Sequence, residues 1–237
     1  MDSSNPRELD EADEDYSVEA AAYEALQTAS ETGSSAPEYH GCWTFSLPIN
    51  IDGNQSIRPI RLIVMEQLNG TSITGTRIQN NPDKGMGTDS FHYPEEYRLE
   101  VLARAMDGYV RQLSLGINQK DFTGRNVMLV TPSAPVNEEA DVVSGIRMPR
   151  VVLVDYNHAQ LYKISLKLLP MSPVEVFWDG DLWEDFGRWA PLDWDDETLM
   201  REWLLSKFYS DGKRENYMSL PGNLVEEINS LASAGNK

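Results

Sequence analysis

The chain has 237 residues, with 20 Lys and Arg against 38 Asp and Glu, and a net charge of −18. That balance argues against nucleic acid or an anionic membrane as partner, since both need a basic footprint. No run approaches the ~18 apolar residues of a membrane helix. The 41% apolar share still allows one large domain or two small lobes. Cys42 is the only cysteine, so no internal disulfide can form, which fits an intracellular, cytoplasmic setting. Beside Trp43 and Phe45 it reads as a small buried apolar residue. The N-terminus is acidic and polar, unlike a secretory signal. His40, His92 and His158 have no metal-ligand spacing.

Residues 1–15 carry Asp2, Glu8, Asp10, Glu11, Asp13, Glu14 and Asp15 and read as a disordered acidic lead. Ser17 then caps a helix through Val18–Leu26, ended by Gly33–Pro37. Trp43–Leu47 and Arg61–Met65 read as two strands around an Asp52-Gly53-Asn54 turn. Glu66-Gln67-Leu68-Asn69-Gly70 follows; by itself it is a strand end with an Asn-Gly turn. Residues 76–93 are loop-like. Pro94–Leu115 repeats Tyr97, Val101, Ala105, Met106, Tyr109 and Leu113 at helical spacing.

After Gly116 comes Gln119-Lys120-Asp121-Phe122-Thr123-Gly124-Arg125-Asn126, then the apolar Val127–Val130. A second apolar strand, Val151–Val154, ends in Asp155-Tyr156-Asn157. The two strands form a small hairpin across a long acidic surface loop. Phosphoryl transfer to a hydroxyl asks for such groups: one carboxylate to orient the acceptor, and an Asn and a second carboxylate to hold Mg²⁺. Further on lie Trp178, Trp183, Trp189, Trp194 and Trp203. They read as core aromatics rather than a carbohydrate or peptide platform. Residues 182–191 form a short helix or turn, and Asp195–Phe208 an amphipathic helix with Leu199, Trp203 and Leu204 on one face.

These motifs resemble the protein-kinase-like superfamily, in particular its atypical, small-molecule branch and divergent fungal-type members lacking most of the N-lobe. The kinase pattern H-R-D-x-x-x-x-N is met from Gln119 to Asn126, and D-F-G at Asp155-Tyr156-Asn157. The resemblance implies an α+β, protein-kinase-like fold. Residues 16–75 would be a partial N-lobe (helix plus short β-hairpin) and hinge, 76–228 a mainly α-helical C-lobe, and 229–237 a frayed tail.

By the same resemblance Asp121, with Lys120 and Arg125, would serve the acceptor hydroxyl. Asn126 and Asp155 would hold Mg²⁺, and Glu66, Gln67 and Leu68 would be the hinge that meets the adenine of ATP. Asn126 could instead brace the loop, and Asp121 could merely cap a turn. Glu19 matches the helix Glu that pairs with a strand Lys, yet only Arg7 among basic residues precedes it. A Gly-rich phosphate loop, the V-A-I-K lysine and A-P-E are absent, and His, Arg and Gly of the family are Gln119, Lys120 and Asn157 here. Gln119 can take over part of the His bracing, and Asn157 tolerates left-handed backbone. The expectation is a weakened or incomplete ATP-dependent phosphotransferase acting on a protein or small-molecule hydroxyl. The alternative is an inactive pseudokinase serving as a scaffold. The missing N-lobe would have been lost in evolution or lie upstream.

Overall fold

Long-range pairing, more than local propensity, decides where the elements begin and end. The computed structural model describes residues 6–51, 53–79, 87–131, 141–164, 169–180 and 185–234. The first helix, α1, is Pro6–Thr28, so residues 6–15 are helical and not a disordered lead. A proline is tolerated in a first helical turn. Asp13 is gripped by Arg61 of the hairpin at 2.8 Å, which anchors the acidic turns to the fold. Ser17 does not cap the helix; inside it, its hydroxyl donates to Asp13 O at 2.7 Å.

Strands β1 (Tyr39–Ile51) and β2 (Asn54–Met65) make one antiparallel hairpin, in register from Cys42↔Ile63 to Ile51↔Asn54. It is much longer than the two short runs suggested. Trp43 and Phe45 are exposed, and Cys42 is half-buried with its thiol 3.5 Å from the Glu24 carboxylate. Beyond the hairpin, Gly70 does not close a turn. It opens β3 (Gly70–Ser72), which pairs with β5 (Val127–Val130), and β5 pairs with β8 (Arg150–Leu153). This three-stranded antiparallel sheet holds both predicted motif strands.

Helix α2 (Glu95–Ser114) lays Val101, Leu102, Ala105, Met106 and Val110 into the core. It then leads into β4 (Ile117–Asn118). Of the long acidic connection, residues 132–140 lie outside the described residues. Its later part is a tight hairpin, β6 (Val142–Val143) with β7 (Ile146–Arg147), turned by Ser144 and Gly145 at positive φ. Strand β9 (Gln160–Leu161) returns to pair with β4.

The remainder is helical: α3 (Pro173–Phe177), α4 (Glu197–Leu204) with one π turn to Tyr209, and α5 (Gly222–Ala234). The final helix carries past residue 229, where fraying was expected. In α4 the buried face is Met200 and Leu204 with half-buried Trp203, while Leu199 turns outward. Trp178, Trp189 and Trp194 are buried; Trp183 lies outside the described residues. Among the described residues no helix is long and apolar enough to cross a membrane.

The close approach of β3 to β5 makes a sharp test. A Cβ on Gly70 would sit 2.1 Å from Leu129 O, a backbone atom that cannot swing away. Gly70→Ala is expected to lose about 3 kcal/mol. Gly53→Ala, at φ +86 with open space around it, should lose about 1 kcal/mol. Urea midpoints of the two variants give the comparison.

Candidate functional site

The site is assembled where β4, β5, β8 and β9 end together. Register puts Val127 opposite Leu153. Beyond that rung, Val154 N donates to Asn126 O at 3.0 Å. Asn126 and Asp155 therefore stand at the same end of the ladder. Between β4 and β5 the loop folds back on itself: Thr123 N donates to Asp121 O, and Asn126 N to Thr123 O, both at 3.0 Å. Gly124 takes part in the tight packing, since a Cβ there would meet Ile73 and Thr74 at 3.2 Å.

Asp121 is doubly held. Arg125 donates to its Oδ2 at 2.6 Å and the buried Asn126 amide to the same oxygen at 2.9 Å. The Asn126 amide also reaches Asp121 O at 3.1 Å. Asn126 thus braces the loop with its nitrogen, leaving its amide oxygen as the group suited to a hard cation. Arg125 is largely exposed, so its pair with Asp121 orients the carboxylate more than it stabilises the fold.

Gln119 is buried and bridges the two motifs. Its amide donates to Val154 O and, at 3.3 Å, to Asp155 O. A buried amide thus braces the turn that follows β8. The left-handed residue of the second motif is Asp155 (φ 70), rather than Asn157, and Lys120 is left-handed as well (φ 67). Such non-glycine conformations cost on the order of 1–3 kcal/mol and persist where surrounding contacts over-determine them. Here the Gln119 bonds hold Asp155, and Asn118 Oδ1 accepts from Lys120 N at 3.2 Å.

Helix α1 closes the site from the other side. Tyr23 meets the buried Tyr156 ring edge-on at 5.1 Å. Burial and the neighbouring Asp155 carboxylate raise the Glu19 pKa, while the Tyr156 backbone N–H, donating to Glu19, pulls it back. Asp15 adds a further, smaller push upward. Among the described residues no cation pairs with Glu19 or Asp155, so the Asp155 charge that acts on Glu19 is not offset by an ion pair.

Asp121, Lys120, Arg125, Asn126 and Asp155 are therefore brought together. Lys120 and Asp121 also line a cleft of about 310 Å³ with Tyr109, Phe122, Phe177 and Asp185. Glu66, Gln67 and Leu68 stand apart, at the opposite end of β5. Four strand residues span ~14 Å. Glu66 is structurally engaged: its carboxylate accepts from Glu38 N at 2.9 Å and pairs with Arg150. Gln67 is exposed and Leu68 half-buried.

The sequence did not single out Gln112, Tyr156 or Arg150 as bracing residues. Gln112 is fully buried, and its Oε1 accepts from the Tyr156 hydroxyl at 3.1 Å. An amide within the apolar stripe of α2 was the available signal. Arg150 joins Glu66 to Gly33 O, the latter at 2.7 Å.

The chain matches no protein-family model and no curated protein.

A carboxyl whose pKa is raised by folding favours the native state while protonated. That favourable contribution is lost as pH climbs from the unfolded value, about 4.3, through the raised native one. Glu19→Gln removes the titration. The stability of the variant relative to the parent chain is expected to increase across that window and level off above it, read from urea unfolding at a series of pH values.

Proposed function

We propose that the chain is a kinase-like protein: a half-site for Mg²⁺ and a nucleoside triphosphate, related to ATP-dependent phosphotransferases and weakened as a catalyst. The single observation that carries this is the Asp155 carboxylate. It is fixed on left-handed backbone beside Asn126, opposed by Glu19, and has no cationic partner among the described residues. A divalent cation is the missing charge that such a pair favours.

Further support comes from topology. Helix, Asp loop, antiparallel strand pair and Asp turn follow in the order of a kinase-like C-lobe, and β4 with β9 closes the loop at both ends. The ~14 Å of β5 between the hinge-like segment and the acidic end is a length a nucleotide could span. In that reading Asn126 and Asp155 hold Mg²⁺, which when bound would neutralise phosphate charge. Asp121 orients an acceptor hydroxyl in the adjoining cleft, and Arg125 keeps its carboxylate aimed. Gln119 fixes the turn.

The second reading, a pseudokinase scaffold, is favoured by Glu19. Without a Lys partner it brings no cation to the phosphates, and electrostatic stabilisation is usually the largest catalytic contribution.

Asp155→Asn separates fold from function, because Asn tolerates left-handed backbone but carries no charge. Without ligand the variant is expected to melt at or above the temperature of the parent chain, since repulsion with Glu19 is gone. With ATP and Mg²⁺ the parent should gain stability by mass action, about 1.4 kcal/mol at tenfold the dissociation constant, and the variant should gain little. No Mg²⁺-dependent shift in the parent at millimolar ATP would sink nucleotide binding and leave the scaffold.

A further inference from the structure

The β1–β2 hairpin has two unlike faces. Side chains opposite one another in an antiparallel pair share a face, so the register sorts them. Cys42, Thr44, Arg61 and Ile63 lie on the face covered by α1. There Arg61 meets Asp13 and stacks over Tyr16, with its guanidinium carbon 5.2 Å from the ring centroid.

The other face carries the rungs Trp43↔Leu62, Phe45↔Ile60, Leu47↔Arg58 and Ile49↔Ser56. Trp43, Phe45, Leu47, Ile60 and Leu62 are 43–54% exposed. The Trp43 ring lies back over Gly41, where an added Cβ would stand 2.9 Å from it. The result is one continuous apolar strip.

We propose that this face is an interface between two copies of the chain, packed sheet face to sheet face. Charge on the strip favours a second copy. Although each chain has a net charge of −18, the four rungs include no carboxylate and one cation, Arg58. Two copies can meet there with no acid set against an acid.

Area points the same way. Aromatic side chains carry about 150–250 Å² each, so the five residues leave roughly 400–500 Å² open per copy, the size of a monomer's largest and often functional patch. Pairing two strips, with Ile49, Arg58 and Ser56 at the rim, brings the total to about 1,200 Å², the lower bound of specific interfaces. An interface of that size lies at the boundary of weak, reversible association.

Edge-to-edge pairing fits less well. Pro48 and Pro59 lie within the strands and offer no N–H, and with Arg58 they blunt the edges. Stacked sheets, about 10 Å apart, need no such bonds. The inference stands apart from the nucleotide site.

Sedimentation velocity of the full chain, from low micromolar to several hundred micromolar, tests it. A concentration-dependent doubling of mass is expected. Because the copies share a net charge, added salt should tighten the dimer by screening. Phe45→Asp, and the milder Phe45→Ser, should weaken it at least tenfold while far-UV circular dichroism is unchanged. Ile57→Asp is the control. Ile57 is 71% exposed but pairs with Pro48 on the other face, so the dimer should persist. A monomer at every concentration overturns the proposal and leaves the strip to another protein or segment. A dimer insensitive to both Phe45 variants, or one lost equally in the Ile57 variant, also overturns it; the latter result indicates strand-edge pairing.

Discussion

Tyr156 is the residue on which the candidate site depends. Its ring is wholly buried against Tyr23 of α1, and its hydroxyl is held by Gln112 of α2 at 3.1 Å, with Leu153 O the alternative acceptor at 3.2 Å. A buried phenol without a partner would carry the full desolvation penalty of its hydroxyl. The Gln112 amide, unusual on an apolar helix face, is the compensating group. Through this contact two helices and a strand agree on the position of one residue, and the residue before it is Asp155. The left-handed turn is thus set from both sides, by the Tyr156 anchor after it and the Gln119 amide across from it.

The electrostatics of the site follow from that anchor. With α1 docked through Tyr23, Glu19 is carried into the neighbourhood of Asp155 and receives the Tyr156 N–H. One hydrogen bond does not cancel a like charge in a partly desolvated place. Packing forces thus bring two carboxylates to one end of the ladder, with no cation paired to either among the described residues. Asp121 is the contrasting carboxylate: it has Arg125 and Asn126 and is directed by them toward the aromatic-floored cleft.

The hairpin shows the opposite economy. A two-stranded ribbon is marginal alone in water, and α1 covers only one of its faces. The uncovered strip differs in kind from scattered exposed apolar residues, which are normal on any surface, because its members are contiguous by register. On the covered face Arg61 pairs with Asp13, tying the acidic first turns of α1 to the hairpin.

The sequence by itself determined the α+β class, the amphipathic α2, the existence of the Asp121–Asn126 loop and of the Asp155 turn, and the core role of Trp178, Trp189 and Trp194. Each was legible because it depends on local pattern: helical periodicity, apolar runs ended by an acid, aromatics at helix spacing. Only the tertiary structure decided that residues 6–15 join α1, that Gly70 begins a strand, and that Trp43 and Phe45 face outward. It also decided that Gln112, Glu19 and Arg150 stand where they do. Several of those outcomes depend on partners 48 to 117 residues away: Arg61 for Asp13, Val130 for Gly70 and Gly33 for Arg150. A one-residue change of register exchanges every side chain between faces. Local pattern contains no information about which distant residue will supply a charge, a carbonyl or a facing strand.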